Sequence, residues 1–351
     1  MSPQELATQE CGTALCLSVY VITFVLGFPA NVLAFYTFCS KVRQKATPID
    51  ILLLNLTISD LLFLLFLPFK MQEVVNNMRW DMPYPLCPLS GFIFYMTIYN
   101  STFFLTAVSV ERYLGVAFPI QHSLKRRPLY AVAASVFFWI FSFSHLSIVF
   151  IMPFIGTEDE PVTTTVEPHT AATTHDTVTT HNVDTPHPGP KEVCYDNFSD
   201  AQLKVLLPVR LELCLVLFCI PFLICSYCYI NFIRILSRLQ HIDRRRRLRA
   251  IGMALGTLVV FAVCFGPYNV SHVVGFITWK NPQWRDKALL CSTFNACLDP
   301  LIFYFSSSAV RGTVGSVTGV LKARLSGCLS CRAPKQSVDD KDSKQEQINA
   351  I

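Results

Sequence analysis

Seven long apolar runs divide this 351-residue sequence, and each is long enough to cross a lipid bilayer. About 20 residues, at a helical rise of about 1.5 Å each, span the hydrocarbon layer. Because lipid cannot pair backbone N–H and C=O groups, each run is predicted to be a helix. The chain is therefore predicted to be an all-α membrane protein with a seven-transmembrane helix bundle. The runs cover approximately residues 13–39, 48–70, 87–118, 128–154, 203–233, 249–278 and 286–305.

The composition argues against several other classes of protein. Charged residues make up only 15% of the chain and hydrophobic residues 52%, whereas soluble domains carry about 25% charged residues. The basic residues lie beside apolar runs without interleaved aromatic residues, a pattern that argues against nucleic-acid binding. No nucleophile–base pair or metal-ligand cluster lies on the runs, so we do not expect an enzyme. Residues 1–10 lack the basic segment and cleavage pattern of a signal peptide.

Basic residues are concentrated in alternate segments between the runs, and acidic residues in the others. Cytoplasmic loops of membrane proteins carry an excess of lysine and arginine. We therefore expect the N-terminus to lie outside the cell and the C-terminus in the cytoplasm. The predicted cytoplasmic basic residues include Lys41, Arg43, Lys45, Lys125, Arg126, Arg127, Arg244, Arg245, Arg246, Arg247, Arg249 and Arg311.

The runs and their charges predict the organisation of the whole chain. An extracellular N-terminus over residues 1–12 precedes a seven-helix domain over residues 13–305. Within that domain, the Thr-, His- and Pro-rich residues 156–191 should form a disordered part of the second outer loop. We expect an amphipathic cytoplasmic helix over residues 306–325 and a disordered cytoplasmic tail over residues 326–351.

Covalent modifications are predicted on both sides of the membrane. Asn197 lies in an Asn-Phe-Ser glycosylation sequon in the second outer loop. Cys328 and Cys331 follow the amphipathic stretch and are either palmitoylated or unmodified. Cys87 and Cys194 lie on the outer side, where disulfides persist. A bond between them would pin the second outer loop across the mouth of the bundle, and two free thiols are the alternative.

Several charged side chains lie within the apolar runs. A charge at membrane depth costs about 2.5–3.5 kcal/mol, so such residues face a polar interior or extend toward the headgroups. Arg210 is therefore either a snorkelling anchor or part of an anion site, and Arg285, at the outer start of the seventh run, is placed to snorkel at the interface. Asp60 and Asp299 predict an oxygen-rich Na⁺ site, or else a polar network satisfied by water. The other oxygen donors expected at that site are Asn31, Ser101 and Asn295.

The third run ends on the cytoplasmic side with Glu111-Arg112-Tyr113. An acidic residue beside an arginine at a helix end is usually a solvated pair. Here apolar residues lie on both sides of the pair, so Arg112 could change partners when helices move.

Short motifs lie at regular places on the predicted helices. They are Gly27-Phe-Pro-Ala-Asn31, Leu56–Asp60, Cys87, Glu111-Arg-Tyr113, Trp139, Pro221, Cys264-Phe-Gly-Pro267 and Asp299-Pro-Leu-Ile302. In order and position they resemble the landmarks of class A G-protein-coupled receptors, over about residues 15–320. The resemblance implies a rhodopsin-like bundle whose activation moves the sixth helix at Pro267, beside Phe265. That movement would free Arg112 and open a cytoplasmic cleft for a heterotrimeric G protein.

Four positions depart from the class A pattern. Glu111 replaces the commoner Asp, Phe265 replaces Trp, Asp299 replaces Asn, and Phe303 replaces Tyr, with Tyr304 one place later.

Four longer segments narrow the resemblance. They are Leu207-Pro-Val-Arg-Leu-Glu-Leu-Cys214, Phe265-Gly-Pro-Tyr-Asn-Val-Ser-His272, Glu111-Arg-Tyr-Leu-Gly-Val-Ala-Phe-Pro119 and Leu298-Asp-Pro-Leu-Ile-Phe-Tyr-Phe-Ser306. They look like the free fatty acid receptors, and are closest to the members that respond to acetate, propionate and butyrate. The resemblance implies a multi-pass plasma-membrane receptor that couples to Gi/o and Gq proteins and to arrestin.

The same resemblance implies a ligand site. Arg210 and Arg285 would hold the ligand carboxylate, accompanied by His272 and His145, which the short-chain members also carry. Tyr95, Tyr99 and Tyr268 are expected to line the pocket, although such aromatic residues are more often plain packing. Arginine suits this role because its planar fork binds a carboxylate through two hydrogen bonds and stays charged. A short tail adds only about 0.8 kcal/mol per CH₂ group, so the charge must supply most of the recognition.

Two other functions stay open at this level. A receptor of the same fold could bind medium- or long-chain fatty acids or hydroxy acids. A monocarboxylate transporter is the alternative from another class, although the runs do not form the paired halves with short broken helices typical of transporters.

Overall fold

The computed structural model describes residues 3–125, 128–152, 155, 194, 198–239 and 243–330. Within these residues every regular element is helical. The first half of the chain forms α1 (Pro3–Lys45), α2 (Pro48–Val75), α3 (Leu86–Ala117), α4 (Pro119–Lys125), α5 (Pro128–Leu146) and α6 (Ile148–Ile151). The second half forms α7 (Asp200–Leu213), α8 (Ile220–Arg238), α9 (Arg244–Val259), α10 (Gly266–Thr278), α11 (Arg285–Thr293), α12 (Asn295–Ser306) and α13 (Ser308–Ser330).

The predicted apolar runs are confirmed as helices. Six helical segments are long and apolar enough to cross a membrane, and the seventh run forms α11 and α12. That run meets α13 at a bend of 100°. Helices extend beyond the runs where hydrogen bonding continues past the apolar residues: α1 begins at Pro3 and α2 ends at Val75.

Pro221 and Pro267 change the helix geometry rather than ending the spans. A π-helical turn, Cys214–Cys219, joins α7 to α8 just before Pro221. Proline has no N–H, so the carbonyl of Leu217 loses its usual intrahelical donor. Thr102 of α3 replaces that donor through an Oγ1–H···O bond of 2.8 Å. The carbonyl that lacks its backbone donor therefore bonds to a side chain of another span.

The sixth span has the same construction. A π-helical turn, Val260–Phe265, joins α9 to α10 just before Pro267. The Oγ of Ser292 in α11 donates to the carbonyl of Cys264 at 3.0 Å. Turns of this type often mark functional sites in helices.

Close packing of α1 against α12 depends on Gly27. A Cβ atom added at this position would lie 3.2 Å from the Ala296 carbonyl oxygen. Asn31, one turn further along, donates from Nδ2 to the same carbonyl at 2.8 Å. The predicted landmark Asn31 therefore joins the first and seventh spans.

The two ends of the bundle differ in chemistry. At one end, which we call the disulfide end, Cys87 is bonded to Cys194 as predicted, and buried Trp80 packs against the bond. At the other end, the basic end, the arginines of α9 lie near α13.

The final helix, α13, packs along α1. The hydroxyl of Thr37 donates to that of Thr313 at 3.2 Å, and Val310 is buried. This helix, Ser308–Ser330, extends past the predicted 306–325 and contains Cys328. The side chain of Cys328, together with Asn197, Cys331, the predicted loop segment 156–191 and residues 331–351, lies outside the described residues.

Candidate ligand-binding site

Arg210 projects from α7 into the interior of the disulfide end. The first turn of α7 is a capping box in which Ser199 and Gln202 bond reciprocally. The Gln202 side chain also donates to the carbonyl of Met152 at 3.1 Å, which ties α7 to the end of α6. Arg210 itself is only 4% exposed. Its Nη1 donates to Oδ1 of Asn281 at 3.0 Å, and its guanidinium lies 5.3 Å from the ring centroid of Phe198.

Arg285 begins α11 and is 5% exposed. Its Nη2 donates to the hydroxyls of Tyr268 at 3.0 Å and Tyr95 at 3.3 Å. The guanidinium also lies 5.3 Å from the Tyr268 ring centroid, within the range of a cation–π contact. Its ion pair with Asp286 is long, at 3.4 Å, and Asp286 is 62% exposed. The aromatic pair therefore fixes the direction of this cation more firmly than its charged neighbour does.

His272 of α10 lies between these groups. Its Nε2 is 3.3 Å from the Tyr99 hydroxyl, and its ring packs edge-on against Tyr268 at 4.5 Å. Both Arg210 and Arg285 act on it electrostatically. His272 is 1% exposed, and its Nδ1 has no protein hydrogen-bond partner within the described part of the chain. The fold thus brings together both predicted arginines, this histidine and the three predicted tyrosines.

His145 has a different environment. Its Nε2 is 3.3 Å from Oε1 of Glu212, and its Nδ1 is 2.9 Å from the Phe141 carbonyl. Its ring lies 4.2 Å from that of Phe141. These contacts occupy both ring nitrogens and join α5 to α7, beside the cluster around His272.

A cavity of about 80 Å³ adjoins Arg285 at the disulfide end. Tyr95 and Arg285 line one side, and Lys70 and Glu73 of α2 line another. Lys70 and Glu73 form an ion pair of 2.8 Å, and Glu73 is buried. The sequence analysis did not single out this pair, although the i,i+3 spacing of opposite charges at the end of an apolar run was a usable signal.

Comparisons with known proteins identify the family. The model of the seven-transmembrane receptors of the rhodopsin family matches residues 30–303. The chain is 47% identical to free fatty acid receptor 2 of Rattus norvegicus over 321 residues, 91% of this chain and 89% of the relative. It is 45% identical to free fatty acid receptor 3 of Mus musculus over 307 residues, 88% of each chain. The chain belongs to the free fatty acid receptor family. It is 33% identical to free fatty acid receptor 1 of Macaca fascicularis over 292 residues, 82% of this chain and 90% of the relative.

Membership of this family tests the predictions about cellular location and class of protein. This free fatty acid receptor is a multi-pass plasma-membrane protein and a receptor, not an enzyme. The alternative of a monocarboxylate transporter is set aside by the same relatives. The resemblance to free fatty acid receptors, drawn above from four segments, is confirmed over most of the chain.

The predicted polar network of the receptor lies deep between α2, α3 and α12. Asn295 donates from Nδ2 to Oδ1 of Asp60 at 3.4 Å, and Asp60 and Asp299 act on each other electrostatically. Both carboxyl groups are buried. Within the described residues, the Ser101 hydroxyl and both carboxyl oxygens of Asp299 lack a geometric hydrogen-bond partner. Asn100, absent from the predicted set, is also buried with an unpartnered side chain there.

At the basic end, Glu111 accepts a hydrogen bond from a residue that the sequence analysis missed. The Nε2 of His122 in α4 lies 2.9 Å from Oε2 of Glu111. Arg112 lines a neighbouring cavity of about 720 Å³ together with Arg246, Arg249 and Arg311. Nothing in the spacing of the chain pointed to His122, because its approach depends on how α4 folds back on α3.

The other residues predicted to take part in activation lie in helices α3 and α10 or in the turn between α9 and α10. Phe265, which is fully buried, meets Phe261 edge-on with ring centroids 5.8 Å apart, and Pro267 follows at the first turn of α10. Tyr113 packs edge-on against Tyr227 of α8 at 6.0 Å. Phe303, the departure from the class A pattern, is buried against Phe38 of α1.

Proposed function

We propose that short-chain fatty acids activate this receptor from outside the cell and that Arg210, Arg285 and His272 hold their carboxylate. One observation carries the proposal: Arg210, Arg285 and His272 come from three helices and are all buried, and Tyr268 contacts both Arg285 and His272. A cation buried in protein is costly unless an anion or hydrogen bonds compensate it. The carboxyl group of a fatty acid supplies both.

The partners of the two arginines support an anionic ligand. Asp286, the ion-pair partner of Arg285, is largely exposed to solvent, so it compensates this buried positive charge only in part. The Nδ1 of His272 adds a hydrogen-bonding group without a described protein partner. A carboxylate can receive hydrogen bonds from both guanidinium groups and the imidazole at once.

Two features favour a ligand with few carbons. The cavity lined by Arg285 and Tyr95, which neither Arg210 nor His272 lines, has a volume of about 80 Å³, far smaller than the pockets of roughly 300–1,000 Å³ that hold drug-sized ligands. The resemblance of His145 and His272 to the short-chain members agrees with this preference.

The proposed orientation places the disulfide end outside the cell and the basic end in the cytoplasm, in accord with the positive-inside rule. Binding would draw α7, α10 and α11 together, and the movement would pass through the π-helical turn before Pro267 to α9. A ligand shifts such an equilibrium only by its differential affinity for the active state. The cavity around Arg112 would then receive a G protein of the Gi/o or Gq class, and arrestin afterwards.

A chain-length series tests the function. We expect G-protein activation by acetate, propionate and butyrate, with potency falling steeply between hexanoate and decanoate. The reason is that the charge supplies most of the binding while a long tail must displace buried polar contacts. An optimum at octanoate or beyond, or a response only to hydroxy acids, would assign the receptor to a different carboxylate and contradict the short-chain proposal.

We also propose that the buried carboxyl groups bind an allosteric Na⁺, with no other cofactor. The unpartnered oxygens of Asp60, Asp299, Ser101 and Asn295 suit a hard cation, which prefers oxygen ligands. Asn31 would hold α1 and α12 beside the ion without being required as a ligand, since its amide bonds to Ala296. The ion would compensate both carboxyl groups, of which only Asp60 accepts the Asn295 amide within the described residues.

The Asp60→Asn variant tests the sodium proposal. In wild-type membranes, replacing NaCl by choline chloride should change the potency of propionate about three- to tenfold. Asp60→Asn should remove that difference, because it removes one of the two negative charges. Asp81→Asn, which neutralises an exposed carboxylate, should retain it. Equal potency in NaCl and choline chloride for the wild type would contradict the proposal.

A further inference from the structure

We infer that His145 and Glu212 form a positioning pair, which holds α7 against α5 and so fixes the place of Arg210. His145 then acts on the ligand site through Glu212 and does not itself hold the carboxylate. The inference rests on the proposed function and deepens it, because it assigns a role to Glu212 and changes the role that the family resemblance implies for His145. The observation behind it is the 3.3 Å contact between Nε2 of His145 and Oε1 of Glu212.

Both ring nitrogens of His145 face acceptor groups of the protein. The Phe141 carbonyl lies 2.9 Å from Nδ1, and the Glu212 carboxyl group lies 3.3 Å from Nε2. A carbonyl oxygen only accepts, so Nδ1 carries the hydrogen of the first contact. An imidazolium suits the second contact as well, because it donates from both nitrogens. Within the described residues, the protein thus occupies both nitrogens of His145 before any fatty acid binds.

The pair lies beside an apolar cluster that reaches the ligand site. Leu146 and Leu213, the residues that directly follow the two members of the pair, are both buried in this cluster. Tyr99 belongs to the same cluster, and its hydroxyl lies 3.3 Å from Nε2 of His272. A shift of α7 away from α5 would therefore also disturb the contact between this tyrosine and His272.

Arg210 lies between two polar contacts that join α7 to α5 and α6. In the first turn of α7, the side chain of Gln202 donates to the carbonyls of Met152 at 3.1 Å and Ile155 at 3.3 Å. In the last turn, Glu212 makes the second contact. Because Glu212 is much nearer to Arg210 in the chain, its contact restrains the helix at the level of the guanidinium.

The fourth and fifth spans separate just beyond the pair. There α7 ends, and the π-helical turn Cys214–Cys219 begins. Phe141 of α5 and Val216 of that turn line an apolar cavity of about 520 Å³. Because a cavity lies between the two spans on this side, packing there contributes little to holding α7 when the pair is broken.

A double-mutant cycle on the pair tests the inference. His145→Ala, Glu212→Ala and the double variant are titrated with propionate in a G-protein activation assay at matched surface expression. We expect EC50 to rise about ten- to thirtyfold for each single variant and no further for the double variant, because either substitution breaks the same contact. Ser144→Ala, which alters an exposed neighbour on α5, should change EC50 less than about threefold.

Glu212→Gln separates the contact from the charge. A glutamine has the length of glutamate, and its amide can donate to Nε2 of a neutral His145 while Nδ1 still donates to Phe141. We therefore expect an EC50 within about threefold of wild type. If Glu212→Gln were as impaired as Glu212→Ala, the charge and not the contact would matter, and the positioning role would be wrong.

Two results of the cycle would overturn the inference. If the effects of His145→Ala and Glu212→Ala multiply in the double variant, the two residues act independently, as expected for a histidine that holds the carboxylate directly. If Glu212→Ala shifts EC50 no more than Ser144→Ala does, the pair does not position Arg210.

A ligand-free measurement separates failure of this inference from failure of the proposed function. In purified receptor without fatty acid, the melting temperature should fall for both single alanine variants and fall no further for the double variant. Wild-type receptor that ignores propionate but shows this pattern would contradict the short-chain ligand and retain the pair. Additive decreases in melting temperature would overturn the inference, whatever the ligand.

Discussion

Arg210→Ala is expected to raise the EC50 of propionate at least about 100-fold, or to abolish activation altogether. Arg210 is 4% exposed, and its guanidinium donates a hydrogen bond to the neutral amide of Asn281. Removing it takes away the charge and up to two hydrogen bonds of the proposed clamp. The measurement is a G-protein activation dose–response in cells with matched surface expression.

Lys204→Ala is the matched control for Arg210→Ala. Lys204 lies on the same helix and carries the same charge, but it is exposed. Its removal lowers the general positive potential of the disulfide end without touching the cluster, so EC50 should change less than about threefold. Full activation of Arg210→Ala by propionate would return this arginine to the role of a structural anchor.

Arg285→Ala should cause a loss of similar size, for a partly different reason. Besides losing the charge, the variant leaves the hydroxyls of Tyr95 and Tyr268 without the donor that bonds to both. Arg285→Lys keeps the charge but loses the planar fork that can bind a carboxylate through two hydrogen bonds, so we expect about a tenfold rise in EC50. In the same assay, EC50 should therefore increase in the order wild type, Arg285→Lys, Arg285→Ala. The first step measures the loss of the guanidinium geometry, and the second measures the loss of the charge.

Lys287→Ala is the control for this second position. Lys287 lies two residues further along α11 and is exposed, so its loss should leave potency within about threefold of wild type. If Arg285→Ala responded like Lys287→Ala, the clamp would need only Arg210, and the cation–π contacts of Arg285 would be purely structural.

The predicted spans and the actual helices agree because both depend on local properties. A run of apolar residues as long as the bilayer is thick must pair its backbone internally, whatever surrounds it. The disulfide could also be predicted from the sequence, since Cys87 and Cys194 both lie on the side that the charges of the loops place outside the cell. The candidate site residues could be named only through a family resemblance, because a single arginine in an apolar run does not reveal its partner.

His145 and His122 show the limit of that reasoning. The resemblance grouped His145 with His272, but its contacts are with Glu212 and Phe141. The sequence analysis singled out Glu111 beside Arg112, yet the fold brings His122 of α4 to that carboxylate. The contact of His145 with Glu212 and that of His122 with Glu111 join residues from different helices, so neither follows from spacing along one helix.

The sequence alone determined the number of spans, the landmark motifs and the charged residues inside the bundle, because length, hydropathy and composition act over a few helical turns. The tertiary structure decided which of these residues meet. Tyr95 and Tyr268 approach Arg285 from two other helices, and Asn281 reaches Arg210 across 71 positions. These contacts depend on the rotation of each packed helix and on the path of a six-residue turn, since only the assembled bundle restricts both.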